Sequence, residues 1–177
     1  STSLCEADID RERMAKCGYC YVEGYLWDAD QPRAACKKVF RLARELGLRT
    51  AFTFSDAFLV DRFPDEFREL TSEFCDIVFC NADEARRFCK NESLEICAQE
   101  LGGQAELVFI TNSGEGCLVV ERSVVAKVEG FPVKAVDTVG AGDAFAGGVL
   151  YGLALGHRAT EAARWGNYLA SRVVATI

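Results

Sequence analysis

Histidine is almost missing from this chain, with His157 the only one in 177 residues. Its scarcity removes most of the ligand sets that hold zinc, since imidazole is the usual companion of thiolate in such sites. Bases are also in short supply, 20 against 27 acids, for a net charge of −7. Phosphate backbones call for a basic face, so no nucleic-acid partner is expected. No apolar run approaches the roughly 18–20 residues of a membrane-spanning helix, and no membrane partner is expected. No charged segment leads into an apolar one at the N-terminus, as in a signal peptide. Repeats, linkers and low-complexity stretches are lacking too.

What is present is core-forming material. Hydrophobic residues make up 50% and aromatics 11%, which excludes a disordered chain. A globular chain of this size buries about 70% of the surface it exposes when unfolded. Nine cysteines are many, but their number is odd and their spacing irregular. Several sit in apolar runs, as Cys80 does after Ile77-Val78-Phe79 and Cys117 before Leu118-Val119-Val120. Cys17-Gly18-Tyr19-Cys20 is the only CxxC, and Cys75 and Cys80 are wrongly spaced for the second pair that zinc needs. The cysteines therefore read as small buried hydrophobes of a reducing, cytoplasmic compartment.

Local signals set out the elements. Asp8 to Glu12 opens a short helix, and Tyr19 to Leu26 reads as a strand ending near Gly24. Pro32 lies early in a helix with Ala35, Val39, Leu42 and Leu46 at helical spacing, stopped by Gly47. Strands are predicted over Leu48–Phe54, Cys75–Cys80, Leu107–Thr111 and Val133–Val136, with a hairpin from Gly116–Glu121 and Val124–Val128. Helices follow Ser55-Asp56, Pro64, Asn81, Ser93, Gly140 and Thr160. Unalternating apolar strands between helices predict one α/β domain over residues 1–177: an open, mostly parallel sheet with helices on both faces. Ligands of such sheets bind at the carboxyl ends of the strands. Residue 1 is not methionine, and the last helix stops in the apolar run Val173–Ile177. Both features read as a piece of a longer protein.

The informative stretch is Asp137-Thr138-Val139-Gly140-Ala141-Gly142-Asp143, between a strand and a helix. Glycine lets backbone approach a ligand, and the first amides of a helix are unpaired, so this turn is an anion site. An aspartate there would repel a phosphate unless it faces the attacking group. A carboxylate beside an anion hole is what phosphoryl transfer to an alcohol requires. The dinucleotide fingerprint GxGxxG is excluded, because Phe145 stands where the third glycine belongs. A Walker loop is excluded as well, because Gly148-Val149 replaces Lys-Ser/Thr after Gly147. A helix-capping aspartate in a tight turn is the bland alternative. The seven-residue string, however, arises by chance at about one position in ten million.

The run from Asp137 to Leu153 closely resembles the signature of the ribokinase-like (PfkB) family of carbohydrate and nucleoside kinases. Asn81-Ala82-Asp83-Glu84 is similar to the family's NxxE motif, and Thr111–Gly116 to its TxGxxG nucleotide loop, with Ser113 in place of the first glycine. Asn167 resembles an asparagine near the adenine, and Glu23–Asp28 with Ser55–Phe58 resembles the bacterial adenosine-kinase-like branch. The resemblance covers essentially the whole chain but only the C-terminal part of such a kinase. It implies a ribokinase-like fold lacking its N-terminal part and β lid, which hold most of the acceptor. It implies Asp143 as catalytic base, an anion hole from Gly140, Ala141 and Gly142, and ATP contacts from Asn81, Thr111, Ser113, Gly114, Gly116, Gly142 and Asn167. Glu84 is implied in indirect contact with Mg2+, and Asp137 beside a monovalent cation such as K+. The implied partner is a small nucleoside or sugar, and a homodimer stays open. For Asn81 and Glu84 a helix-capping box is the alternative reading, and for Asp137 a carboxylate bonded to backbone amides. His157 reads as a helix C-terminal contact, and Trp27 and Trp165 as packing. Three functions compete: the C-terminal part of an ATP-dependent kinase of a primary hydroxyl, with adenosine or a sugar such as fructose or ribose as acceptor; a nucleotide-binding piece inactive alone; and a dinucleotide-binding protein, which fails on the fingerprint.

Overall fold

Asp10, Asp56, Asn81 and Ser93 each start a helix and apolar blocks make the strands, as a computed structural model of the chain records for residues 3–176. Six strands form one mixed sheet in the order β1 to β6. Contacts cluster in two units, the first ending at Val78 and the second beginning at Phe79.

In the first unit, the Asp10 carboxylate accepts from the amides of Glu12 and Arg13 and so starts α1 (Arg11–Met14). Strand β1 (Tyr19–Glu23) pairs in parallel with β2 (Arg49–Thr53), Tyr19 opposite Arg49 and Glu23 opposite Thr53. The chain turns at Gly24–Asp28, crosses through α2 (Asp30–Leu46), and stops at Gly47, whose φ of 68° suits glycine. The buried face of α2 differs from the expected stripe: it is Ala35, Cys36, Phe40 and Ala43, with Val39, Leu42 and Leu46 only half-buried. The reason is Phe40, whose ring meets Phe52 edge-on at 6.4 Å and Phe74 at 6.2 Å, turning that side inward. Helices α3 (Ala57–Arg62) and α4 (Pro64–Glu73) complete this unit. Trp27 is a packing residue, fully buried between Phe52 and Phe67, with Nε1 donating to Glu66.

Strand β3 (Ile77–Asn81) leads into the second unit. Helices α5 (Ala82–Cys89) and α6 (Leu94–Gly102) follow. Strands β4 (Leu107–Thr111), β5 (Cys117–Glu121) and β6 (Val124–Val128) are antiparallel neighbours. Arg122 and Ser123 carry φ of 48° and 67°, which a two-residue hairpin turn requires. Phe79 stacks on Phe109 at 5.2 Å, and Phe145 closes the cluster edge-on at 6.3 and 6.2 Å. Phe145 belongs to α7 (Ala141–Ala154), which packs on α8 (Ala159–Val174).

One expected strand is absent among the described residues. Val133–Val136 is largely exposed and irregular, and the Val136 amide donates to the Val174 carbonyl at the end of α8. A strand needs a neighbour to take its ladder of N–H and C=O groups, and this bond goes to a helix end instead. All nine cysteines are free thiols. Among the described residues, no helix is long and apolar enough to cross a membrane.

Candidate active site

A cavity of about 680 Å³ opens in the second unit, within the usual size of a small-ligand site. Its walls come from the start of α5, the loop after β4, the segment after β6, the start of α7 and one side of α8. Asn81, Thr111, Ser113, Gly114, Gly116, Ala141, Gly142 and Asn167 all line it. Gly140, Asp143, Glu84 and Asp137 do not.

Asn81 and Glu84 form a reciprocal capping box. The Asn81 Oδ1 accepts from the Glu84 amide at 2.9 Å, and the Glu84 carboxylate accepts from the Asn81 amide at 2.9 Å. The Asn81 amide group also donates to Glu84 Oε1 at 2.8 Å. Glu84 is buried, so it holds Asn81 at the cavity wall and does not face the cavity itself. Asp83, one residue earlier, does line the cavity, as does Arg86 one turn on.

The loop after β4 keeps a glycine-like shape despite its serine. Ser113 adopts φ of 49°, in the left-handed region. Gly116 has φ of 94°, and a Cβ there would lie 2.1 Å from the Val128 carbonyl and 2.4 Å from the Gly130 amide. The loop is thus pressed against the end of β6. Asn167 secures the same place from α8, its Nδ2 donating to the carbonyls of Val128 and Glu129 at 3.2 and 3.1 Å. With its amide hydrogens committed in this way, Asn167 shapes the wall, and only its carbonyl side is left toward a ligand.

Gly140 turns into α7 with φ of 77°. The Ala141 amide bonds the Thr138 carbonyl and the Ala144 amide bonds the Gly140 carbonyl. Between them, the amides of Gly142 and Asp143 have no partner among the described residues. Together with the helix dipole they offer partial positive charge to an anion. A Cβ at Gly142 would meet nothing within 4 Å, so the space above it is open. Asp143 is exposed in this first turn and makes no hydrogen bond or ion pair among the described residues. Asp137 accepts from the Val139 amide at 2.9 Å through Oδ1, which fixes the turn. His157 lies past the end of α7, its amide donating to the Gly152 carbonyl and its imidazole near Glu161 and Trp165.

Residues not anticipated from sequence complete the walls. Phe131, Pro132, Val133 and Ala135 come from the irregular segment after β6. Ser171 lies one turn beyond Asn167, and that i, i+4 spacing was the available signal for it.

The family model for pfkB family carbohydrate kinases matches residues 3–177. Adenosine kinase from Sinorhizobium meliloti superposes with a TM-score of 0.96 at 34% identity, covering 99% of this chain and 54% of that one. A probable sugar kinase from Rhizobium etli superposes equally well, TM-score 0.96 at 30% identity, with the same coverage of 99% and 54%. Adenosine kinase of Saccharomyces cerevisiae is 29% identical over 150 residues, 77% of this chain and 44% of that protein. The chain thus spans about half the length of these solved structures and less than half of the yeast relative.

Proposed function

Because the chain belongs to the pfkB family of carbohydrate kinases, we propose that it carries the ATP-binding half and the catalytic base of a kinase acting on a primary hydroxyl, with adenosine as the acceptor. The observation that carries the proposal is the first turn of α7. The Gly142 amide lines the cavity, and the amide and carboxylate of Asp143 follow it in the same turn, all three without a partner among the described residues. In this reading Asp143 takes the proton of the acceptor hydroxyl. The acceptor oxygen then bonds the γ-phosphorus as the bond to the β,γ-bridging oxygen breaks, and ADP leaves. The amides of Gly142 and Asp143 hold the charge on the phosphoryl oxygens through the transfer.

The site also suits Mg2+. Magnesium takes few protein ligands and keeps water and phosphate oxygens, and the described residues contain no dedicated cluster of three metal-binding side chains. Asp83 at the cavity wall would hold the hydrated ion, and Glu84 would act indirectly by orienting Asn81. When bound, the ion offsets phosphate charge. Asp137 has its second carboxylate oxygen left for a monovalent cation.

A sugar acceptor is the second reading, favoured by the likeness to the Rhizobium etli protein. Calorimetry with ATP and Mg2+ tests the nucleotide site, and binding in the millimolar range or tighter is expected. A folded protein that takes up no heat at millimolar ATP contradicts the reading. Turnover of adenosine, fructose and ribose by the whole protein then decides the acceptor.

A further inference from the structure

We propose that Arg86 is a positioning residue for the polyphosphate of the nucleotide, an inference that rests on the ATP-site reading above. Among the residues lining the cavity, Arg86 is the one cation and Asp83 the one acid. The Asp83 charge is already answered by Arg87, whose Nε lies 3.3 Å from Asp83 Oδ2. Arg86 has no carboxylate at ion-pair distance among the described residues; Glu95 is near enough to be attracted by its charge but does not pair with it. Its Nε donates to the Glu92 carbonyl at 3.1 Å, which anchors one edge of the guanidinium and leaves both terminal nitrogens without a protein partner.

A triphosphate brings several negative charges into this cavity. Mg2+ would offset part of that charge, and the α7 amides add the equivalent of only about half a charge more. A fixed guanidinium with its fork unused is the side chain best suited to take the remainder, because it bonds two phosphate oxygens at once. The α5 helix brings Arg86 to the same wall as Asn81 and Asp83. A purely structural Arg86 would do no more than tie α5 to the loop before α6 through Glu92.

Two variants separate these roles, since both lose the Glu92 bond as it stands and only one loses the charge. Arg86→Gln is expected to weaken ATP binding about 10–100-fold in calorimetry, the worth of charge-assisted hydrogen bonds. Arg86→Lys keeps the charge but not the fork, so it is expected to lose affinity by clearly less than Arg86→Gln, with a dependence on salt closer to the parent's. Unchanged ATP affinity in Arg86→Gln overturns the assignment. So does an equal loss in both variants, which would mark Arg86 as a structural tie. Failure of the parent protein to bind ATP removes the nucleotide-site reading itself, whereas parent binding with an unaffected Arg86→Gln removes Arg86 alone.

Discussion

Asp143 and Ser113 each do something that their residue type does at a cost or for a purpose. Asp143 stands in the first turn of α7, beside two amides that have no partner among the described residues. Asparagine has nearly the same shape, so Asp143→Asn keeps the turn and removes the proton acceptor. The kcat of the whole enzyme should fall about 10²–10⁴-fold with the ATP KM nearly unchanged. A variant that keeps more than a tenth of parental kcat, by about the lower edge of that range, would make Asp143 an ordinary first-turn residue. Ser113 holds φ of 49°, which costs a non-glycine residue about 1–2 kcal/mol. Glycine relieves that strain but adds about 0.5–1 kcal/mol of unfolded-chain entropy. Ser113→Gly should therefore stabilise by about 0.5–1 kcal/mol, read from the urea midpoint. A loss of stability would mean that the serine hydroxyl supports the loop.

At the scale of elements, the pairing of α7 with α8 depends on small residues. A Cβ on Gly148 would lie 2.9 Å from the Gly166 Cα and 3.0 Å from its amide nitrogen, both backbone atoms that cannot step aside alone. Gly147, one residue earlier on the same helix, is exposed and has open space around it. Alanine should thus act oppositely at neighbouring positions. Gly147→Ala should stabilise by up to about 1 kcal/mol through helix propensity. At Gly148 the overpacking of about 1–3 kcal/mol outweighs that gain, so a net loss is expected from thermal melts. The same contrast explains what was legible beforehand. Asp56, Ser93 and Gly47 announce helix ends because capping is local chemistry, and the structure uses each of them so, whereas the first helix, expected from Asp8, starts only after Asp10. The α2 face was misplaced because Phe40, Phe52 and Phe74 meet only in three dimensions. Val133–Val136 has strand composition without a partner strand among the described residues. In the cavity, Asn81 was legible as a helix cap and Gly142 as a turn residue, and Thr111 only through the family resemblance, whereas Arg86 and Phe131 line it only by tertiary placement.

At the scale of the whole molecule, five of the nine thiols are buried, and that shapes the response to alkali. Burial pushes the Cys20 thiol up to about 11, helped by the charge of Cys17, and burial chiefly pushes Cys36 to about 12, with a smaller push from Cys20. Cys117 rises to about 12 by burial, partly offset by a hydrogen bond with Asn167. Cys75 and Cys80 are raised further in the same sense by burial, with nearby acids adding to it. In the unfolded chain these thiols ionise near their ordinary value of 9.0. Below that pH both states hold the protons and the thiols leave stability independent of pH. Above it the unfolded state releases protons that the folded state still binds, so stability falls as pH rises, until the folded thiols ionise in turn. The melting temperature should be level up to about pH 9 and then decline toward pH 12. Lysine and tyrosine also titrate in this window, so the slope of one variant against the parent is the decisive quantity. Cys117→Ala lowers stability throughout by emptying a buried site, but it should flatten the alkaline decline by the share of one thiol. Parallel declines in the two proteins between pH 9 and 11, about the span where only the unfolded thiol ionises, would show that the buried thiols do not govern the response.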